Sequence, residues 1–308
     1  MPLDPRARRF LDIVAIGAAG PVTVAARRRG LAALARFGGP PAAVAAVSEE
    51  TCPGPGGPVG LRLYRPLDAA EPGPGLVYLH GGGFVAGDLD SHDGLCRTLA
   101  AGAGCRVVSV AYRLAPEHPF PAAPEDAVAA FAHVAGEAGR LGLDPARLAV
   151  GGDSAGANLA ALLCLEARDR GGPAVAAQLL LCPVLDAAGE GGSRETFAEG
   201  HGLDRATLAR DLAAYAGALD PHDPRLSPLR AASLAGLPPA LIHTAEYDMV
   251  RDDGDAYAHR LAAAGVPVRH TCHPGLIHDF YSLGGLIPVA AAALRGIAGE
   301  LRDVLAGA

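Results

Sequence analysis

From residue 45 onward the chain switches between short apolar runs of strand character and longer stretches of helix formers, a rhythm that restricts it to a sheet covered by helices. Strands are expected at residues 45–49, 59–65, 76–79, 106–111, 148–150, 178–181, 240–243 and 266–271. Helices are expected at 95–103, 124–139, 155–170, 206–217, 254–264 and 289–305. The first two strands, separated by a glycine- and proline-rich loop over 52–58, read as an antiparallel entry into the sheet. The fold class is therefore α/β: a mostly parallel eight-stranded sheet with helices on both faces. Right-handed crossovers then gather the C-terminal ends of the parallel strands along one rim, where such sheets bind ligands.

Two segments break the rhythm. Residues 1–44 are helical without strands, and residues 186–220 form a polar, glycine-punctuated insertion with one helix. The expected division is an N-terminal helical cap segment at 1–44 and a catalytic domain at 45–308, with the insertion folding over the rim beside the first segment. Arg6, Arg8 and Arg9 followed by the apolar run 10–26 mimic a secretory leader, but Asp12 and Pro21 interrupt that run. Arg27, Arg28 and Arg29 then stand where a cleavage region would be small and neutral, so an amphipathic helix pair is expected. No stretch is apolar for long enough to span a bilayer.

Composition removes whole classes of function. A net charge of −7 offers nucleic acid no basic footprint. Lysine is absent, which excludes lysine Schiff bases, a Ser–Lys dyad and a Walker-type phosphate loop. The six cysteines include no C-x-x-C pair and read as small buried hydrophobes in a reducing, cytoplasmic compartment. His270, Cys272 and His273 have no fourth ligand nearby in sequence, so no metal is expected.

Within this frame, Gly152-Asp153-Ser154-Ala155-Gly156 fits G-x-S-x-G between a strand and a helix, the turn that pushes a serine hydroxyl out of the fold. A side chain at either glycine would crowd the neighbouring strand and helix. An orienting acid and a base follow in the order this fold uses: Asp248 and His278 each lie on a rim loop just past a strand. Asp252, Asp253 and Asp255 compete with Asp248, as does Glu246, but the three aspartates stand where a helix begins and are expected to cap it. The strand at 76–79 runs into His80-Gly81-Gly82-Gly83-Phe84, whose backbone N–H groups, with that of Ala155, can approach a substrate carbonyl closely.

These motifs, together with Tyr112-Arg113-Leu114-Ala115-Pro116-Glu117-His118-Pro119-Phe120-Pro121, resemble in order and across nearly the whole chain the hormone-sensitive lipase family of α/β-hydrolases, in its bacterial esterase branch. The resemblance implies the α/β-hydrolase fold, Ser154 as nucleophile, Asp248 as acid, His278 as base, and Gly81, Gly82 and Ala155 as oxyanion donors. Gly83 and Phe84 are expected against the substrate, and Asp153 as an organiser of the loop. The implied reaction is hydrolysis of short- to medium-chain carboxylic esters with no cofactor, failing as His278 protonates roughly below pH 6–7. Amidase, lactonase and deacetylase chemistry could use the same triad, and a homodimer through the outermost strand and C-terminal helix is open by analogy. A non-catalytic small-molecule-binding protein of this fold would have lost the base, which is present here. Three positions depart from the family: Met249 replaces a proline after the acid, Cys182 a tyrosine before Pro183, and Asp279 a glycine after the base. The changes are expected to touch the acyl pocket and loop supports.

Overall fold

The computed structural model describes residues 1–17 and 23–307. All eight expected strands are present: β1 Ala46–Gly54, β2 Gly57–Arg65, β3 Gly73–Leu79, β4 Arg106–Ala111, β5 Leu143–Asp153, β6 Gln178–Leu181, β7 Ala240–Tyr247 and β8 Val268–Ile277. They form one sheet in the order β1-β2-β4-β3-β5-β6-β7-β8. β1 and β2 are antiparallel, as is the β2–β4 pair, and every later pairing is parallel. The loop expected over 52–58 is smaller than its glycines and prolines suggested, because the two strands continue pairing to Gly54 and Gly57 and leave only Pro55 and Gly56 as the turn. Pro53 is tolerated there because β1 is an edge strand.

The helices are α1 Pro5–Gly17, α2 Val24–Leu34, α3 Asp93–Ala103, α4 Ala122–Gly136, α5 Ala155–Arg170, α6 Ser193–Thr196, α7 Arg205–Ala216, α8 Arg251–Ala263 and α9 Pro288–Ala306. The expected N-terminal helix pair is seen as α1 and α2, while Pro21 lies outside the described residues.

Strand alternation divides the core in two. Leu76 and Tyr78 point to the face covered by α3, α9 and α1, while Val77 and Leu79 point to the face covered by α4, α5 and α8. Each fully buried leucine or valine contributes about 1.5–3 kcal/mol of burial free energy, so a strand apolar on both faces belongs in the middle of such a sheet. A third apolar cluster lies in the insertion, where Phe197, Leu203 and Leu208 pack on Met249 and Val250 at the start of α8. An ion pair of 3.1 Å from Arg27 on α2 to Asp211 on α7 joins the two segments that stood outside the alternation. Among the described residues, no helix is long and apolar enough to cross a membrane.

Candidate active site

β5 ends at Asp153 and α5 begins at Ala155, leaving Ser154 alone in the turn with φ 52° and ψ −114°. A non-glycine residue in such a conformation costs about 1–3 kcal/mol, and tertiary bonds must hold it there. Ser154 N–H donates to the Leu181 carbonyl at 2.8 Å, and its own carbonyl accepts from Asn158 and Val184. A Cβ at Gly152 would run into the Leu79 carbonyl and the Gly156 backbone, and one at Gly156 into the carbonyls of Leu79 and His80. The turn is thus pressed against the end of β3. Ser154 makes no side-chain cap to α5, so its hydroxyl is free to face outward.

Asp248 follows β7 and His278 follows β8, and the sheet order brings both to Ser154. His278 Nε2 lies 3.0 Å from Ser154 Oγ, and His278 Nδ1 lies 2.6 Å from Asp248 Oδ2. All three are buried; Ser154 is 7% exposed. Asp248 Oδ1 also accepts from the Val250 N–H at 3.0 Å, which fixes the carboxylate's second oxygen. Burial by itself disfavours the His278 imidazolium, but the charges of Asp248 and Asp279 outweigh it, so its pKa lies above the ordinary 6.5. The acid limb of activity is therefore expected at higher pH than an unperturbed histidine would give. Asp279 adopts φ 61°, a left-handed conformation that aspartate tolerates better than most residues.

The rival acids are committed elsewhere. Glu246 accepts from the Gly275 N–H and pairs with the N-terminal amine, and Asp255 lies 3.1 Å from His270 Nε2. Asp252 and Asp253 do not play the capping role expected of them. Asp252 accepts from Ser193 N–H, while Asp253 accepts from the N–H groups of Leu185 and Asp186 and pairs with Arg194. They tether the insertion to α8.

The oxyanion assignment needs one correction. Gly81 N–H donates to Asp153 Oδ1 at 3.0 Å and is not available to a substrate. The N–H groups of Gly82 and Gly83 meet no acceptor among the described residues, and Ala155 N–H, at the first position of α5, has no intrahelical partner. The candidate donors are therefore Gly82, Gly83 and Ala155. Asp153 does organise the loop: it accepts from Tyr78 Oη at 2.6 Å as well as from Gly81, and lies 3.3 Å from His92 Nε2. Phe84 adopts φ 63° and stacks on Tyr215 with ring centroids 3.8 Å apart. Gly83 and Phe84 line a small cavity at Ser154 together with Leu208, Leu212 and the Arg27–Asp211 pair.

Cys182 does not touch that cavity as expected. Its buried thiol is held neutral, first by burial and then by the neighbouring carboxylates of Asp248 and Asp279. Cys182, Asp248 and His278 place potential ligand atoms within 4.8 Å of one another. His278 is already bonded to Asp248 and to Ser154, so the carboxylate and imidazole belong to the relay.

Asp211 and Arg27 carry little sequence signal, only a basic triplet and an aspartate on an otherwise apolar helix face. Nothing in the sequence marks Tyr78 and His92 as partners of Asp153.

A three-member relay behind a strained serine, facing free backbone donors at a sheet rim, defines the active site of a hydrolase of this fold. Residues 76–282 match the model of the alpha/beta hydrolase fold family, and the chain belongs to that family. Its likeness to the esterase branch is borne out by relatives of known name. The chain is 48% identical to the esterase LipI of Mycobacterium tuberculosis over 260 residues, covering 82% of this chain and 81% of that protein. It is 42% identical to the ethyl acetate hydrolase of Pseudomonas putida, covering 80% of this chain and 78% of that one. Among solved structures, an ester hydrolase from the metagenome of Lake Arreo superposes with TM-score 0.94 at 42% identity, covering 98% of this chain and 99% of that one. The esterase of the archaeon Pyrobaculum calidifontis gives 0.92 at 39%, with the same coverage of each chain.

Proposed function

We propose that the chain is a serine carboxylesterase acting on short- to medium-chain carboxylic esters through an acyl-enzyme. The single observation that carries this reading is the unbroken contact from Asp248 through His278 to Ser154, at 2.6 and 3.0 Å. Ser154 Oγ attacks the ester carbonyl as His278 Nε2 takes its proton, and Asp248 holds the Nδ1–H that fixes the productive tautomer. Negative charge then develops on the carbonyl oxygen, where Gly82, Gly83 and Ala155 can donate. Each such donor contributes about 3–4 kcal/mol in the transition state, and the N-terminus of α5 adds its dipole. His278 returns the proton to the leaving alcohol, and water, activated by the same base, releases the acyl group.

Residues 1–44 and 186–220 are read as a cap over the rim, supported by the bridge from Arg27 to Asp211. A cytoplasmic setting is supported by six unpaired cysteines, although Cys272 is exposed rather than buried as expected. A homodimer along the open edge strand β8 belongs to the same reading.

The test compares the purified protein with Ser154→Ala on p-nitrophenyl esters of increasing acyl length. Wild type should turn over the short esters and the variant should not. Equal, slow hydrolysis of every ester by both would refute the esterase reading.

A further inference from the structure

The cavity beside Ser154 encloses only about 10 Å³, less than one water molecule needs comfortably. Its walls include Ser154, Gly83, Ala155, Val184 and the Arg27–Asp211 pair, while His278 is not among them. The leaving alcohol must face His278, which returns its proton, and an acyl chain extending away from His278 past the oxyanion donors Gly83 and Ala155 runs toward this cavity.

The pair closes that side. Arg27 Nε donates to Asp211 Oδ2 at 3.1 Å, and the Asp211 carboxylate packs so closely over the Gly83 Cα that a Cβ there would run into it. Burial pushes the Asp211 carboxyl above its ordinary pKa despite the nearby Arg27 charge, so the site holds this charge at a cost. Both helices are anchored independently of the pair. Arg28 ties α2 to the Val85 carbonyl and, through both carboxylate oxygens, to Glu117. Tyr215 ties α7 down by stacking on Phe84 and by accepting the Phe120 N–H at its carbonyl. What can yield to an acyl chain is therefore the two side chains.

We propose that the Arg27–Asp211 ion pair is a latch that sets the acyl-length limit of this esterase, confining it to short acyl groups until the two side chains part. The proposal rests on the esterase reading and names its substrate class.

The test measures kcat/KM for p-nitrophenyl acetate, butyrate, hexanoate and octanoate with wild type, Arg27→Gln, Asp211→Asn and the double variant, each checked for folding by thermal melting. Wild type should fall steeply beyond butyrate. In each single variant the octanoate-to-acetate ratio should rise at least about tenfold, the discrimination that one methylene contributes in an apolar pocket. The double variant should rise no further than the larger single, as expected of two partners in one interaction. A ratio within about twofold of wild type in both folded single variants would overturn the latch. A wild type inactive on every ester would instead overturn the esterase reading on which it stands.

Discussion

Replacing Asp153 by alanine removes the carboxylate that ties the glycine loop to the nucleophile turn. The side chain is 1% exposed and serves Tyr78 Oη, Gly81 N–H and His92 Nε2 at 2.6, 3.0 and 3.3 Å. Burial would raise its pKa, but the charge and hydrogen bond of His92, with the bond from Tyr78, outweigh it and hold it below 3.8. His92 is buried too, yet Asp153 holds it above 6.5. The two directions agree on a buried ion pair. Its carboxylate part contributes above the unfolded aspartate value and is lost as pH falls through the lower folded one. Its imidazolium part is complete below 6.5 and is lost as pH rises through the higher folded value. Removing one partner of a buried pair costs about 3–5 kcal/mol, so near pH 6 the variant should lose roughly that much stability and on the order of 10 °C in Tm. Above the folded pKa of His92 the gap to wild type should narrow, because wild type then loses the imidazolium part of the pair. The freed Gly81 also lets Gly82 and Gly83 drift, and a displacement of about 1 Å at such donors costs on the order of 100-fold in kcat, with KM little changed. Thermal melting at pH 6 and pH 9, with kcat and KM for p-nitrophenyl acetate, measures both effects. A Tm within about 2 °C of wild type at pH 6, or a kcat within about threefold, would refute the reasoning.

Three further substitutions and one titration follow from the same geometry. The acid limb of kcat/KM should lie above pH 6.5, because His278 acts only when neutral and its folded pKa is raised; Asp248→Asn should move that limb downward as well as slowing turnover, and a limb left in place would separate the two residues. Gly156→Ala forces a methyl against the carbonyls of Leu79 and His80 and should cost about 1–3 kcal/mol or more. Gly94→Ala, on an open helix face in α3, should hold or raise Tm by comparison in the same melting experiment.

The central strands β3, β4 and β6 were legible because each carries an apolar run that a doubly covered sheet buries. Strand ends were less so. β5 reaches back to Leu143 across Asp144 and Pro145, and β8 runs on through Pro274 and Gly275, residues that argue locally against a strand. Pro274 survives because β8 is at the edge. Ser154, Asp248 and His278 were legible from their positions just past strands. Which glycine gives up its N–H was not, because Asp153 takes it from 72 positions away. The same holds for Arg27 and Asp211, whose meeting depends on how two segments at distant points of the chain come to lie together.

The order of strands in the sheet also dates the site. Ser154 stands after β5 and His278 after β8, 124 positions later, with β6 and β7 packed between their strands. β8 is the outermost strand at that end, and it contributes the base. The entropy of closing so long a loop is recovered only when β8 joins β7, so the relay forms with the last strand of the sheet. Hydrolysis therefore requires this edge strand to be in place, and turnover reports directly whether β8 has docked.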